Sequence, residues 1–255
     1  MSTLCLVNLA QLDPPTNGGT SRIAYEVSKT LIDWSRSAPD RRAVFSVNWR
    51  FAAQFGNWLG EDVLIIPYFS RLDARKITST AAPDFIVSPL FGMTPFGSPS
   101  YAHIRHIAQM PDALVFDKPT QFTPRQFKRR TAIYRQLANA SSIVTLSNHA
   151  RERLQEHLDI PAERFHVIPL GADALDTPAL PEARFTLPKR YVFYPANVWP
   201  HKRHALLFKA MARIVAQQPD VQLVLAGGRD AAAFAHEHGA VCGEDVSKRR
   251  GWAAD

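Results

Sequence analysis

Four short stretches combine residue types and spacings that can do chemistry. In YPANVWPHKRH (194–204), Asn197, His201, Lys202, Arg203 and His204 crowd a turn between the apolar Tyr191-Val192-Phe193 and an amphipathic run. The start of a helix offers unpaired N–H donors and the positive end of a dipole, so it attracts anions. A lysine there opposes the dipole unless an anion neutralises both. Lys202, with Asn197, is therefore a candidate phosphate contact, and a solvated loop is the competing reading. In NGGTSR (17–22), Gly18 and Gly19 would let a diphosphate approach the backbone ahead of a new helix. The alternative is a helix capped by Thr20 or Ser21 after a flexible turn, and the pair is not the GxGxxG of a dinucleotide fold.

The third stretch, RHIAQMPDALVFDKPTQFTPRQ (105–126), holds His106, Asp112 and Asp117 in a proline-punctuated region that reads as cleft lining. A histidine or aspartate there could act on a substrate hydroxyl, although turn chemistry explains the same residues equally well. In the fourth, SIVTLSNHARERLQEHL (142–158), Ser147 stands at the end of a strand as a cleft contact or as a helix cap. No GxSxG surrounds it, which argues against a serine hydrolase. His201 and His204 are three apart, but no carboxylate or cysteine completes a set, so no metal is expected.

Positioning these groups falls to short β-branched runs: LCLVNL (4–9), AVFSV (43–47), DVLIIPYF (62–69), DFIVSPL (84–90), SSIVTLS (141–147), FHVIPL (165–170), YVFYP (191–195) and VQLVLAGG (221–228). Apolar throughout, they read as buried strands. Helical stripes fill the intervals: Ile23, Val27, Leu31 and Trp34 in one, and Leu206, Leu207, Ala210, Met211, Ile214 and Val215 in another. Alternation of the two predicts an α/β fold with mainly parallel sheets. Prolines 178, 181 and 188 punctuate an aperiodic segment. The expected organisation is a Rossmann-like domain over 1–172, a linker over 173–190, and the first βαβ part of a second Rossmann-like domain over 191–255. Two strands cannot cover their own apolar faces, so this second part must lean on other protein.

Of the 255 residues 46% are apolar, which suffices for a core, and the net charge of +7 favours anionic partners. Arg125, Lys128, Arg129 and Arg130 form the densest basic group inside the chain. A solvated helix face accounts for it, with peripheral contact at the inner face of a membrane as the lesser alternative. Neither a membrane span nor a secretory leader is evident, and a cytoplasmic protein is expected. The two cysteines, Cys5 and Cys242, read as inert thiols. Nucleic-acid binding is the weakest reading, since no RNP-like motif or basic recognition helix occurs.

Taken together, GGTSR, PDALVFDKPTQFTP, IVTLSNHARERL with HVIPLGAD, and YPANVWPHKRHALLFKA with VQLVLAG resemble the retaining glycosyltransferases of family 4, which have the GT-B fold. Order and spacing match from the N-terminus to about residue 228. The resemblance implies two Rossmann-like domains, the first binding a glycan or lipid-linked acceptor and the second a nucleotide-sugar donor, which serves as co-substrate with no other cofactor. It implies that Lys202 contacts the donor diphosphate, that Gly18 and Gly19 approach it from the first domain, and that Asp112 is the catalytic carboxylate. Asn197 stands where many relatives have an arginine, and Met110-Pro111-Asp112 where they have a His-Asp pair. The family's two donor-sugar glutamates, with seven residues between them, have no counterpart: Glu237 and Glu244 have only six between them and follow the Gly-Gly turn too soon. The expectation is a chain truncated within the donor domain. Its alternative function is a non-catalytic glycan-binding module or a half-enzyme completed by a partner chain.

Overall fold

A computed structural model describes residues 2–12, 19–60, 62–90, 92–171, 186–196 and 200–226. Contacts divide the chain into two compact units, residues 1–172 and 173–255. Of the expected linker, only 186–190 lies among the described residues.

The first unit runs β1 (Thr3–Leu9), α1 (Gly19–Arg36), β2 (Arg41–Asn48), α2 (Ala52–Leu59), β3 (Leu64–Tyr68), α3 (Arg71–Ala81), β4 (Phe85–Ser88), β5 (Arg105–Gln109), α4 (Leu114–Asp117), α5 (Pro124–Arg135), β6 (Ser142–Thr145), α6 (Asn148–Leu158) and β7 (Phe165–Val167). Its seven strands pair in parallel in the order β3-β2-β1-β4-β5-β6-β7. The chain thus builds outward from β1 to β3, then crosses back to add β4 on β1's other side. Ligands in open α/β sheets bind beyond the carboxyl ends of the strands at such a reversal.

Both faces of the sheet are covered, so its central strands are apolar on both sides. Cys5, Val7, Leu9, Phe45 and Val47 pack with α1 and α2, while Leu6, Val44 and Ile86 pack with Ala74 and Ile77 of α3. The stripe expected on α1 flanks its contact with the sheet. The deepest residues are Ser21, Ala24, Ser28 and Ile32, mostly small side chains that let the helix approach closely. Val27, Leu31 and Trp34 pack at the margins of the same core.

Several strands expected to be buried throughout are not. β3 lies at the edge of the sheet, starts at Leu64 and leaves that leucine exposed. β7 ends at Val167, and Ile168 and Leu170 face outward. The 105–126 stretch needs a larger correction. Arg105–Gln109 is β5, a strand inside the sheet between β4 and β6, and of its residues only the last, Gln109, lines a crevice. Arginine, histidine and glutamine concealed it from an apolarity criterion.

The second unit's described core is β8 (Arg190–Pro195), α7 (His204–Gln217) and β9 (Val221–Ala226), with β8 and β9 parallel. The Arg190 guanidinium donates to both Asp220 carboxylate oxygens, at 2.9 and 2.7 Å, and ties the starts of the two strands together. Of α7's expected apolar stripe only Met211 is buried. Tyr191, Phe193, Leu206, Ile214 and Val215 remain exposed, since a two-stranded sheet hides few apolar side chains.

Candidate functional site

The carboxyl edge of the first unit's sheet carries a polar row. Ser46 of β2 stands in register beside Asn8 of β1, and on the other side of β1 Ser88 of β4 follows the Val7–Val87 pair and bonds Asn8. All three are buried. Asn8 Nδ2 donates to Ser88 Oγ at 2.9 Å and to the Thr94 carbonyl at 3.0 Å, while its Oδ1 accepts from the Ala10 amide at 3.3 Å. One amide side chain thereby fixes the loops that leave β1 and β4. Ser88 Oγ also meets His106 Nε2 at 2.7 Å. His106 is fully buried on β5, and burial lowers its pKa to about 3, so the ring is neutral. Its role is internal support, not the cleft chemistry expected of it. Sequence reasoning passed over Asn8, Ser46 and Ser88. Their signal was a lone polar residue near the carboxyl end of an otherwise apolar strand.

Beside this row, Thr20 and Ile23 of α1, Pro89 and Leu90 after β4, Gln109 at the end of β5 and Pro111 line a crevice. It brings the NGGTSR helix together with the Met110-Pro111-Asp112 segment at the β1/β4 reversal. Gly19 is the first residue of α1, whose first turn has no acidic side chain, so no carboxylate there competes with an anion for the helix dipole. Gly18 lies outside the described residues.

Asp112 is half-buried next to the crevice. Its Oδ1 accepts from the Leu114 amide at 3.0 Å and from the Tyr134 hydroxyl at 2.9 Å. Burial and, secondarily, the Asp112 charge raise the Tyr134 pKa, so the phenol stays a donor. Among the described residues Oδ2 is not engaged. Asp117, from the same stretch, instead accepts from Arg153 Nε at 2.7 Å, and Arg153 also bonds Glu156. This joins α4 to α6. Ser147 is exposed and caps α6, accepting from the Ala150 amide at 3.1 Å. Its oxygen thus serves the helix start.

In the second unit, Asn197 lies outside the described residues. Pro200–Lys202 form a 3-10 turn, Arg203 takes a left-handed conformation (φ 53°), and α7 begins at His204. The Tyr194 hydroxyl donates to the Lys202 carbonyl at 2.6 Å, and its ring meets buried His204 edge-on at 5.2 Å. The turn is thus held against the carboxyl end of β8. Lys202 and Arg203 both point to solvent, and among the described residues neither forms an ion pair. Among the same residues no group of three or more His, Cys, Asp or Glu is arranged to hold a metal.

No family model and no curated protein sequence matches the chain. Solved structures do. Against MnaA from S. aureus, solved with UDP, the TM-score is 0.57 at 13% identity, covering 95% of this chain and 67% of that one. Against a Listeria monocytogenes protein assigned as a UDP-N-acetylglucosamine 2-epimerase it is 0.60 at 13% identity, covering 96% and 68%. A UDP-GlcNAc 2-epimerase from Neisseria meningitidis, bound to UDP-GlcNAc, gives 0.54 at 9% identity, covering 89% and 66%. The fold is GT-B-like. At such identities the likeness is one of fold, and the chain spans about two thirds of the length of these proteins.

Proposed function

We propose that the chain binds a nucleotide sugar and belongs to an enzyme that transfers the sugar, with retained anomeric configuration, to a hydroxyl of a saccharide or lipid-linked acceptor. The observation that supports this most is the exposed Lys202-Arg203 pair in a turn pinned to the carboxyl end of a parallel strand, directly before α7. Cations there stabilise the charge that gathers on a departing diphosphate. Lys202 is assigned to the diphosphate, with Asn197, Gly18 and Gly19 as further contacts. Asp112 is the candidate carboxylate on the acceptor side, its Oδ2 free to receive a proton while Oδ1 is held by Leu114 and Tyr134. The solved neighbours include proteins bound to UDP or UDP-GlcNAc, which fits a nucleotide-sugar ligand.

Those same neighbours favour a second reading, in which the nucleotide sugar is epimerised and not transferred. Incubation of the full chain with UDP-, GDP- and ADP-sugars, followed by NMR of the products, separates the readings. A new glycoside with the donor's anomeric configuration supports transfer, and an epimeric nucleotide sugar supports the second reading. Binding of an acceptor glycan without any turnover would leave only the non-catalytic module or half-enzyme.

A further inference from the structure

The outer corner of the first unit's carboxyl edge carries large apolar side chains that the core does not use. Asn48 and Tyr68 are register partners at the ends of β2 and β3, and the residues that follow them, Trp49 and Phe69, stack with ring centroids 5.5 Å apart and planes at 17°. Trp49 is 47% exposed and Phe69 63%; Leu72, in the first turn of α3 three residues beyond Phe69, is 79% exposed. Single exposed apolar side chains are ordinary, but a stacked aromatic pair with a leucine alongside is a patch.

The surroundings of the patch are basic. The Arg50 guanidinium lies over the Trp49 ring, 5.7 Å from its centroid, and Arg75 and Lys76 are exposed on α3. The acidic residue within the same turn, Asp73, is held by the α3 capping box, where Oδ2 accepts from the Phe69 amide at 3.0 Å and the Ser70 amide at 2.6 Å. Next to Leu72 and Arg75, a groove of about 370 Å³ continues along Thr94, Ser98, Ser100 and Gln136, offering hydroxyls and an amide.

We propose that this corner docks on an anionic bilayer, with Trp49, Phe69 and Leu72 at the acyl boundary and Arg50, Arg75 and Lys76 among the lipid phosphates. Aromatic rings flanked by cations suit the headgroup region, where apolar insertion and attraction to anionic lipid act together. Two other occupants fit less well. A sugar stacks on an open aromatic face, but Phe69 and Arg50 both lie against the indole. A second copy related by a two-fold axis would bring the same three cations face to face. Three strand spacings, roughly 15 Å at about 4.8 Å each, separate β3 from β4 beside the crevice, so docking holds the carboxyl edge close to the membrane. If the transferase reading also holds, the acceptor class this favours is the lipid-linked one; the docking itself does not depend on that reading.

The test is co-sedimentation of the full chain with vesicles of phosphatidylcholine alone or mixed with phosphatidylglycerol. The proposal expects binding to the mixed vesicles that weakens as salt rises, a drop of about tenfold in affinity for Trp49→Ser/Phe69→Ser/Leu72→Ser, and a smaller drop for Leu72→Ser alone. Arg50→Gln/Arg75→Gln should lose affinity and salt sensitivity together, while Arg125→Gln/Arg129→Gln should bind as the parent does. All of these sites are exposed, and a thermal melt checks that each variant is folded. Equal binding by the triple variant, or no binding to either vesicle, overturns the proposal. So does conversion of a dimer to a monomer by the triple variant, or loss of soluble-glycan binding in place of vesicle binding.

Discussion

His106 Nε2 faces Ser88 Oγ inside the sheet, and no solvent reaches the ring. Charging it would require taking a cation out of water, which is why its pKa falls from 6.5 to about 3. The unfolded imidazole takes up its proton near pH 6.5, so between that value and about 3 the unfolded chain binds more protons than the folded one. The contribution is complete above pH 6.5 and is lost as pH falls through this window, on the order of a few kcal/mol in all. Denaturation by urea across that range should therefore give a steep acid limb, and His106→Leu should flatten it. Asp112 invites a different pair of substitutions. Asp112→Asn keeps an oxygen to accept from Leu114 and Tyr134 and should leave the melting temperature within about 2 °C, yet abolish transfer if the carboxylate takes a proton. Asp112→Ala should lose stability as well, by about 1–2 kcal/mol. At this scale the sequence was partly legible. It singled out Asp112 and Lys202 as candidates and offered the cap role that Ser147 fills, but could not reveal that Asp117 is held by Arg153, because that partner is distant in the chain.

Among the elements, the loop after β4 shows how tightly the carboxyl edge is built. Gly92 has φ +82°, and a Cβ there would sit 2.6 Å from Ile133 Cγ2 of α5. Gly92→Ala should cost about 2 kcal/mol or more in chemical denaturation, from strain and crowding together. The α5 start offers a milder comparison: Thr123 accepts from the Gln126 amide at 3.3 Å while Gln126 reaches back to the Thr123 amide at 2.9 Å. Thr123→Ala should remove about 1 kcal/mol. Elements with continuous apolar runs were legible from the sequence, since burial on both faces of a parallel sheet demands them. β5 was not, because a central strand that ends at a polar row can carry histidine and glutamine. Nor was the exposure of β8 and α7, since periodicity identifies an apolar face without saying what lies against it.

For the molecule as a whole, the α/β class and the GT-B-like fold followed from alternating strand and helix runs joined to four motifs whose order is more telling than any one of them. Lys202 and the β1/β4 crevice belong to separate units. Lys202→Ala is exposed and should leave the thermal melt unchanged. The most direct test of nucleotide-sugar binding is calorimetric titration of the full chain, parent and Lys202→Ala, with UDP, GDP and ADP. The account predicts one-to-one binding of at least one of these diphosphates by the parent, weakened about tenfold or more by Lys202→Ala because a charge-assisted phosphate contact is removed. No binding of any of the three to the parent, or equal binding by the folded variant, would contradict it.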